Sequence, residues 1–363
     1  MAFPRATRGP RWLSVALVLG LAAAWTALAS PGTASAQRMD LALSRLSIGR
    51  ADGAVGCDSA IVGAETSFCA DNGQWRSLIT EFTGALIPPT LSPATTRGPS
   101  SFYVGLDTSI TGISSSSAYW HRGTEGQTVM GDENRQVDGV LAFTRVTIRK
   151  SFPFGFELGT NIGYLVNTSY WALGLDIRWS ILEGWLSHDW VVPDIAFRGS
   201  VQTLVGDQEF NATVAMADVT ISNGIIIGDA FELTPITGGG VAWTWADSEL
   251  IDLTPSTNAF ASCIPDPNPP TTGPTTCGAG GSPNDFNNNT VFASIRTMRP
   301  RAFVGLQGRY EAFTLTGMFS GDLIPPTDIG SNGLVGNANP GDVAPRLSID
   351  RQWRIDIGVG LTY

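Results

Sequence analysis

Lysine occurs once in the 363 residues, at Lys150, and histidine only twice, at His121 and His188. Charged residues amount to 15% of the chain. Arg5, Arg8 and Arg11 open the sequence; beyond them 19 of the 22 basic residues face 32 acidic ones, a formal charge of −13. So acidic a balance excludes nucleic acid and anionic membrane surfaces as partners. Long apolar runs are equally scarce. After Trp12 to Ala29 no second stretch of eighteen apolar residues follows, so the rest of the chain is either soluble or crosses a membrane as strands.

The first run has its own explanation. Three arginines, an apolar core and Ala34-Ser35-Ala36 read as a secretory signal over residues 1–36, cleaved before Gln37. Export agrees with the four cysteines, Cys57, Cys69, Cys263 and Cys277, which form two local pairs. Disulfides within each pair are the simplest arrangement, although three connectivities are formally open. Neither pair has a histidine or a close Cys-x-x-Cys beside it, so no metal is assigned, and nothing in the sequence calls for a cofactor.

Two-residue alternation recurs along the mature chain at the length of a tilted membrane strand. Phe154, Phe156, Leu158, Ile162, Tyr164 and Val166 oppose Gly155, Glu157, Gly159, Asn161 and Gly163. Trp171, Leu173, Leu175, Ile177 and Trp179 likewise oppose Ala172, Gly174, Asp176, Arg178 and Ser180. Further strands are expected near 102–110, 137–149, 195–205, 210–221, 231–245, within 291–310, and at 313–323 and 353–363. That makes ten, or twelve if the region 291–310 or the N-terminal region divides differently. In 210–221 the apolar parity shifts between Met216 and Val219, which predicts a bulge.

One end of this strand series carries the connections 114–136, 167–168, 206–209, 248–290 and 324–349, which include all three very long ones, and those at the other end stay near ten residues or fewer. With the long connections outside and both barrel ends in the periplasm, strand count and loop placement agree. The export signal, the alternating strands, the Trp and Tyr at strand ends and the terminal Gly358-Val359-Gly360-Leu361-Thr362-Tyr363 together resemble a bacterial outer-membrane β-barrel of the porin-like kind. The resemblance implies an all-β fold, an antiparallel transmembrane barrel over 101–363, set in outer-membrane lipid. It also implies that Tyr363 belongs to an assembly signal read by the barrel-assembly machinery.

Residues 37–100 are not membrane-like. Trp75, Leu78, Ile79, Phe82 and Leu86 recur at helical spacing until Pro88-Pro89 ends the pattern, so a short helix is expected in either a small periplasmic cap or a plug.

The inward parity collects charges of both signs: Glu157, Asp176, Arg178, Asp194, Arg198, Asp218, Glu232, Arg309, Arg354 and Asp356. They are candidates either for a salt-bridged filling or for a constriction. A narrow or gated channel for small solutes is the leading expectation, with the substrate unspecified. A structural or surface-interaction barrel with a filled lumen is its alternative. A carrier of hydrophobic compounds, opening its wall at Gly238 to Gly240, ranks lower. So does a hydrolase at the outer rim, for which His121 near Ser114 to Ser117 is the sole arrangement offered, and no catalytic residue is assigned.

Overall fold

A computed structural model describes residues 37–49, 68–98, 100–126, 133–181, 193–228, 231–253, 255, 263–264, 276–277, 289–329 and 349–363. Residues 1–36, expected as a secretory signal, and Cys57 lie outside the described residues.

Ten long strands alternate direction: β1 (Phe102–Gly112), β2 (Val140–Ser151), β3 (Phe156–Leu165), β4 (Trp171–Ser180), β5 (Asp194–Val205), β6 (Phe210–Ser222), β7 (Phe231–Ser248), β8 (Ile295–Tyr310), β9 (Phe313–Asp322) and β10 (Trp353–Thr362). Each pairs antiparallel with its sequence neighbours, and β10 returns to pair with β1, so the sheet has no free edge along its circumference. The seam is fastened at the chain terminus, where Phe102 N donates to Tyr363 O at 2.9 Å and Tyr363 N to Phe102 O at 2.8 Å. Closure of this kind lets every wall amide find a partner without water.

The alternation seen in the sequence becomes an inside and an outside. In β4 the outward Leu173, Leu175 and Ile177 are exposed, while Ala172, Asp176 and Arg178 are buried. The same outward apolar band continues through Leu158, Val304, Leu306, Leu315, Phe319 and Ile357. Phe156 stacks on Trp179 near one rim and Tyr164 leans on Trp171 near the other, the position of interfacial aromatic girdles. A band this wide and apolar is untenable in water and fits a hydrocarbon surround.

Connections at the two ends differ as expected, except that the one between Ser180 and Asp194 is longer than the other short-end turns. The bulge expected in β6 is absent. Its register runs unbroken against β5 from Asp194↔Ser222 to Thr203↔Thr213 and against β7 from Ile236↔Ser222 to Ser248↔Phe210. The parity had looked shifted because Phe210, Val214 and Met216 all point inward, where a wet face was assumed. The wall is also continuous at Gly238 to Gly240, which pair on both sides. A Cβ at Gly238 would collide with the Val219 carbonyl and one at Gly240 with that of Ala217, so these glycines serve close strand approach and not a lateral opening.

Within the long connection between β7 and β8, Cys263–Ile264 pairs with Thr276–Cys277, placing Cys263 opposite Cys277. Register partners in an antiparallel ribbon have Cα atoms about 4.5–5.5 Å apart, within the span of a disulfide. Such a bond would close a loop of about fifteen residues, worth roughly 3 kcal/mol to local order. Substituting serine at both cysteines is expected to accelerate protease cleavage between residues 250 and 290 on intact cells several-fold. The heat resistance of the barrel should not change. Equal cleavage of both proteins would rule the cross-link out.

Candidate functional site

The lumen is the site, and it is occupied by the chain's own N-terminal segment. Helix α1 (Asn72–Ala85) starts at Asp71, whose side chain accepts from Gln74 N at 3.0 Å, and stops before Pro88-Pro89. Trp75, Leu78, Ile79 and Phe82 are wholly buried, and so are most residues from Trp75 to Ala94. They pack on the inward apolar residues that had disguised the parity of β6: Phe82 meets Phe210 at 5.9 Å and Tyr170 at 5.7 Å, and Trp75 stacks on Phe292 at 5.0 Å. Burying each of these side chains is worth about 1.5–3 kcal/mol. Of the two placements open for this segment, the structure therefore has the plug.

The preceding residues lie at the end with the long connections, not at the short-turn end where a periplasmic cap would sit. Met39 N donates to Asn167 O at 2.9 Å, Ser169 N to Asp40 at 2.5 Å, and Leu41 bridges to Thr124. At this rim burial pushes the Asp207 carboxyl above the usual carboxylate range, with Asp40 adding to the effect. Burial, then the charge of Asp207, does the same for Glu209. A second helix, α2 (Ala118–Arg122), belongs to the connection after β1 and clamps the plug through one carboxylate. Glu81 accepts from Ser114 N at 3.1 Å, Ser114 Oγ at 2.7 Å, Tyr119 OH at 3.1 Å and Trp120 Nε1 at 2.5 Å.

Below the helix the chain runs extended through the barrel, and wall arginines hold carbonyl groups of both the helix and this extended stretch. Arg299 donates to Thr80 O and Arg354 to Ile87 O. Arg198 donates to Pro89 O at 2.6 Å, Pro88 O at 3.1 Å and Thr90 Oγ1 at 2.6 Å. Arg149 reaches Ser92 Oγ, and Arg178 reaches Pro93 O and, at 2.9 Å, Thr95 O. Prolines leave their carbonyls without the competing local bonds of a helix, and guanidinium groups supply the charge-assisted donors.

The same arginines are matched by wall carboxylates on the next strand, one strand further on, or the same strand. Glu157 and Arg178 are register partners at 2.6 Å, as are Arg198 and Asp218 at 2.6 Å. Asp176 lies 3.6 Å from Arg149, and Arg354 lies 3.0 Å from Asp356. Seven of the ten candidate charges, Glu157, Asp176, Arg178, Arg198, Asp218, Arg354 and Asp356, are thus buried against the plug or in pairs beside it. Glu232 and Arg309 pair with each other at 2.5 Å at the short-turn rim, where the arginine is 45% exposed, and Asp194 is half-buried at the start of β5. These three stand at the short-turn ends of their strands.

Sequence reasoning missed Arg145, Arg149, Arg299, Asp322 and Glu81. The spacing of Arg145 and Arg149 within one strand is a usable signal, diluted because the apolar Leu141 and Phe143 share their inward parity. The Nδ1 of His121 lies 2.6 Å from the main-chain oxygen of Asn134, and Ser114 Oγ donates to Glu81.

A closed antiparallel barrel with an apolar exterior, aromatic rims and a charged, filled interior is a bacterial outer-membrane β-barrel, and the protein belongs in that membrane. Among solved structures the chain is similar to Ail, the attachment invasion locus protein of Yersinia pestis, at 9% identity over 73% of this chain and 100% of Ail, with a TM-score of 0.24. It is also similar to Neisserial surface protein A, at 9% identity over 72% of this chain and 96% of that one, with a TM-score of 0.25. No family profile matches the chain. No curated protein sequence matches it either.

Proposed function

We propose that this protein is a closed, structural outer-membrane barrel that works through its external connections, with the lumen stoppered by residues 72–98. One observation carries the reading: wall arginines from β2, β4, β5, β8 and β10 bind the plug's main chain or hydroxyls along its length. A passage for solutes in this state would need an uninterrupted aqueous path, and a cavity between plug and wall among the described residues measures about 10 Å³, room for about one water.

A gated passage is the second reading. It is favoured by the polar character of the plug's lower half, since guanidinium-to-carbonyl bonds can be exchanged for water at little cost where an apolar core cannot. Planar bilayers separate the two. The chain from Gln37 onward should be electrically silent, and a variant lacking residues 37–95 should conduct. Spontaneous openings of the full chain would overturn the closed-barrel reading in favour of gating.

A further inference from the structure

Arg301, on β8, is 1% exposed, and its guanidinium has no hydrogen-bond partner among the described residues. Its Nε lies 3.3 Å from Asp322 Oδ1 without hydrogen-bonding geometry. That carboxylate is shared: Arg299 Nη1 binds Asp322 at 3.1 Å, and Gln352 N donates to it at 3.1 Å. The neighbouring Arg354 has a carboxylate of its own in Asp356, which also accepts from Ser109 Oγ at 2.5 Å. Glu81 has both oxygens engaged at the mouth. Arg301 therefore shares its one carboxylate with Arg299.

Its side chain lines the small cavity between plug and wall. Ser320 Oγ lines the same cavity and is likewise buried without a partner. Met216, Phe303, Met318 and the Arg354–Asp356 ion pair complete the wall side, and Ile87, Pro88 and Thr90 of the plug form the lid. Guanidinium and hydroxyl donors thus converge on one small space where the Arg354–Asp356 pair is neutral and the Arg301 charge is matched only by a carboxylate that it shares. A water there would satisfy donors but leave the charge; a cation would be repelled; an oxyanion of phosphate size would not fit so small a volume.

We infer that this cavity is a buried binding site for a small monovalent anion of chloride size, held by Arg301 Nη1, Nη2 and Ser320 Oγ. Because the lid is the stretch whose Ile87 carbonyl is held by Arg354, anion occupancy and plug seating are linked.

The test uses the full mature chain folded in detergent, with chloride exchanged for gluconate, which is too large for the cavity, at constant ionic strength. The unfolding midpoint should rise with the logarithm of chloride concentration, and bromide should substitute for chloride. Arg301→Met and Arg301→Gln should flatten that dependence. Should either fail to fold, Ser320→Ala, which keeps the charge, should weaken it, moving the response to higher halide concentration. Crystals grown in bromide should show an anomalous peak between Arg301 and Ser320. Equal midpoints in chloride and gluconate would overturn the site, and so would bromide crystals with only water at that position.

Discussion

Arg198→Met is expected to lower the stability of the folded barrel by about 3–5 kcal/mol, measured by urea unfolding in lipid vesicles. The arginine is 4% exposed and does two things at once: its Nε binds Asp218 at 2.8 Å, and its two Nη atoms hold Pro88, Pro89 and Thr90 of the plug. Methionine fills similar space, so the loss is electrostatic: Asp218 is left buried without its partner, and three plug acceptors lose their donor. Adding Asp218→Leu should recover most of the loss, because removing both charges removes the uncompensated one. A double variant as unstable as the single one would mean that the plug contacts, and not the ion pair, account for the effect.

Leu175→Arg is the counterpart on the other side of the wall. Leu175 stands midway along β4, 57% exposed and facing outward between Leu173 and Ile177. An arginine at the middle of the lipid face should cost about 2–4 kcal/mol and fall towards about 0–1 kcal/mol near the rims, so the same change at Trp171 should be the milder. Equal costs at the two positions would contradict the placement of β4 across the bilayer.

The wall was legible in the sequence because lipid imposes one rule on every strand. Residues such as Leu173, Leu175 and Ile177 have nowhere to go but outward, so parity and strand count could be read without knowing what lay inside. The interior obeys no such rule. In β6 the inward Phe210, Val214 and Met216 answer to a helix more than a hundred residues earlier in the chain, and their parity was misread as a bulge. The position of residues 72–98 was legible only as an apolar stripe with two placements. What selects the lumen is a set of guanidinium-to-carbonyl bonds, and a backbone carbonyl has no letter in the sequence. Arg299 and Glu81 were overlooked for the same reason, since each is defined by a partner on the plug or the loops and not by strand spacing.

The path of the N-terminal segment has a topological consequence. Residues 37–46 rest on the rim beside Asn167 and Thr124, while Phe102 begins the wall at the opposite rim. The strap between them passes through a ring that is closed only when β10 meets β1. A ring cannot be threaded after it is shut except by passing a free end through it, so the strap is in place before the last seam forms, or else the N-terminus is drawn outward through the bore. Once assembled, the stopper cannot leave towards Phe102 without drawing the ribbon of Ser47–Gly49 and Phe68–Ala70 down the bore behind it.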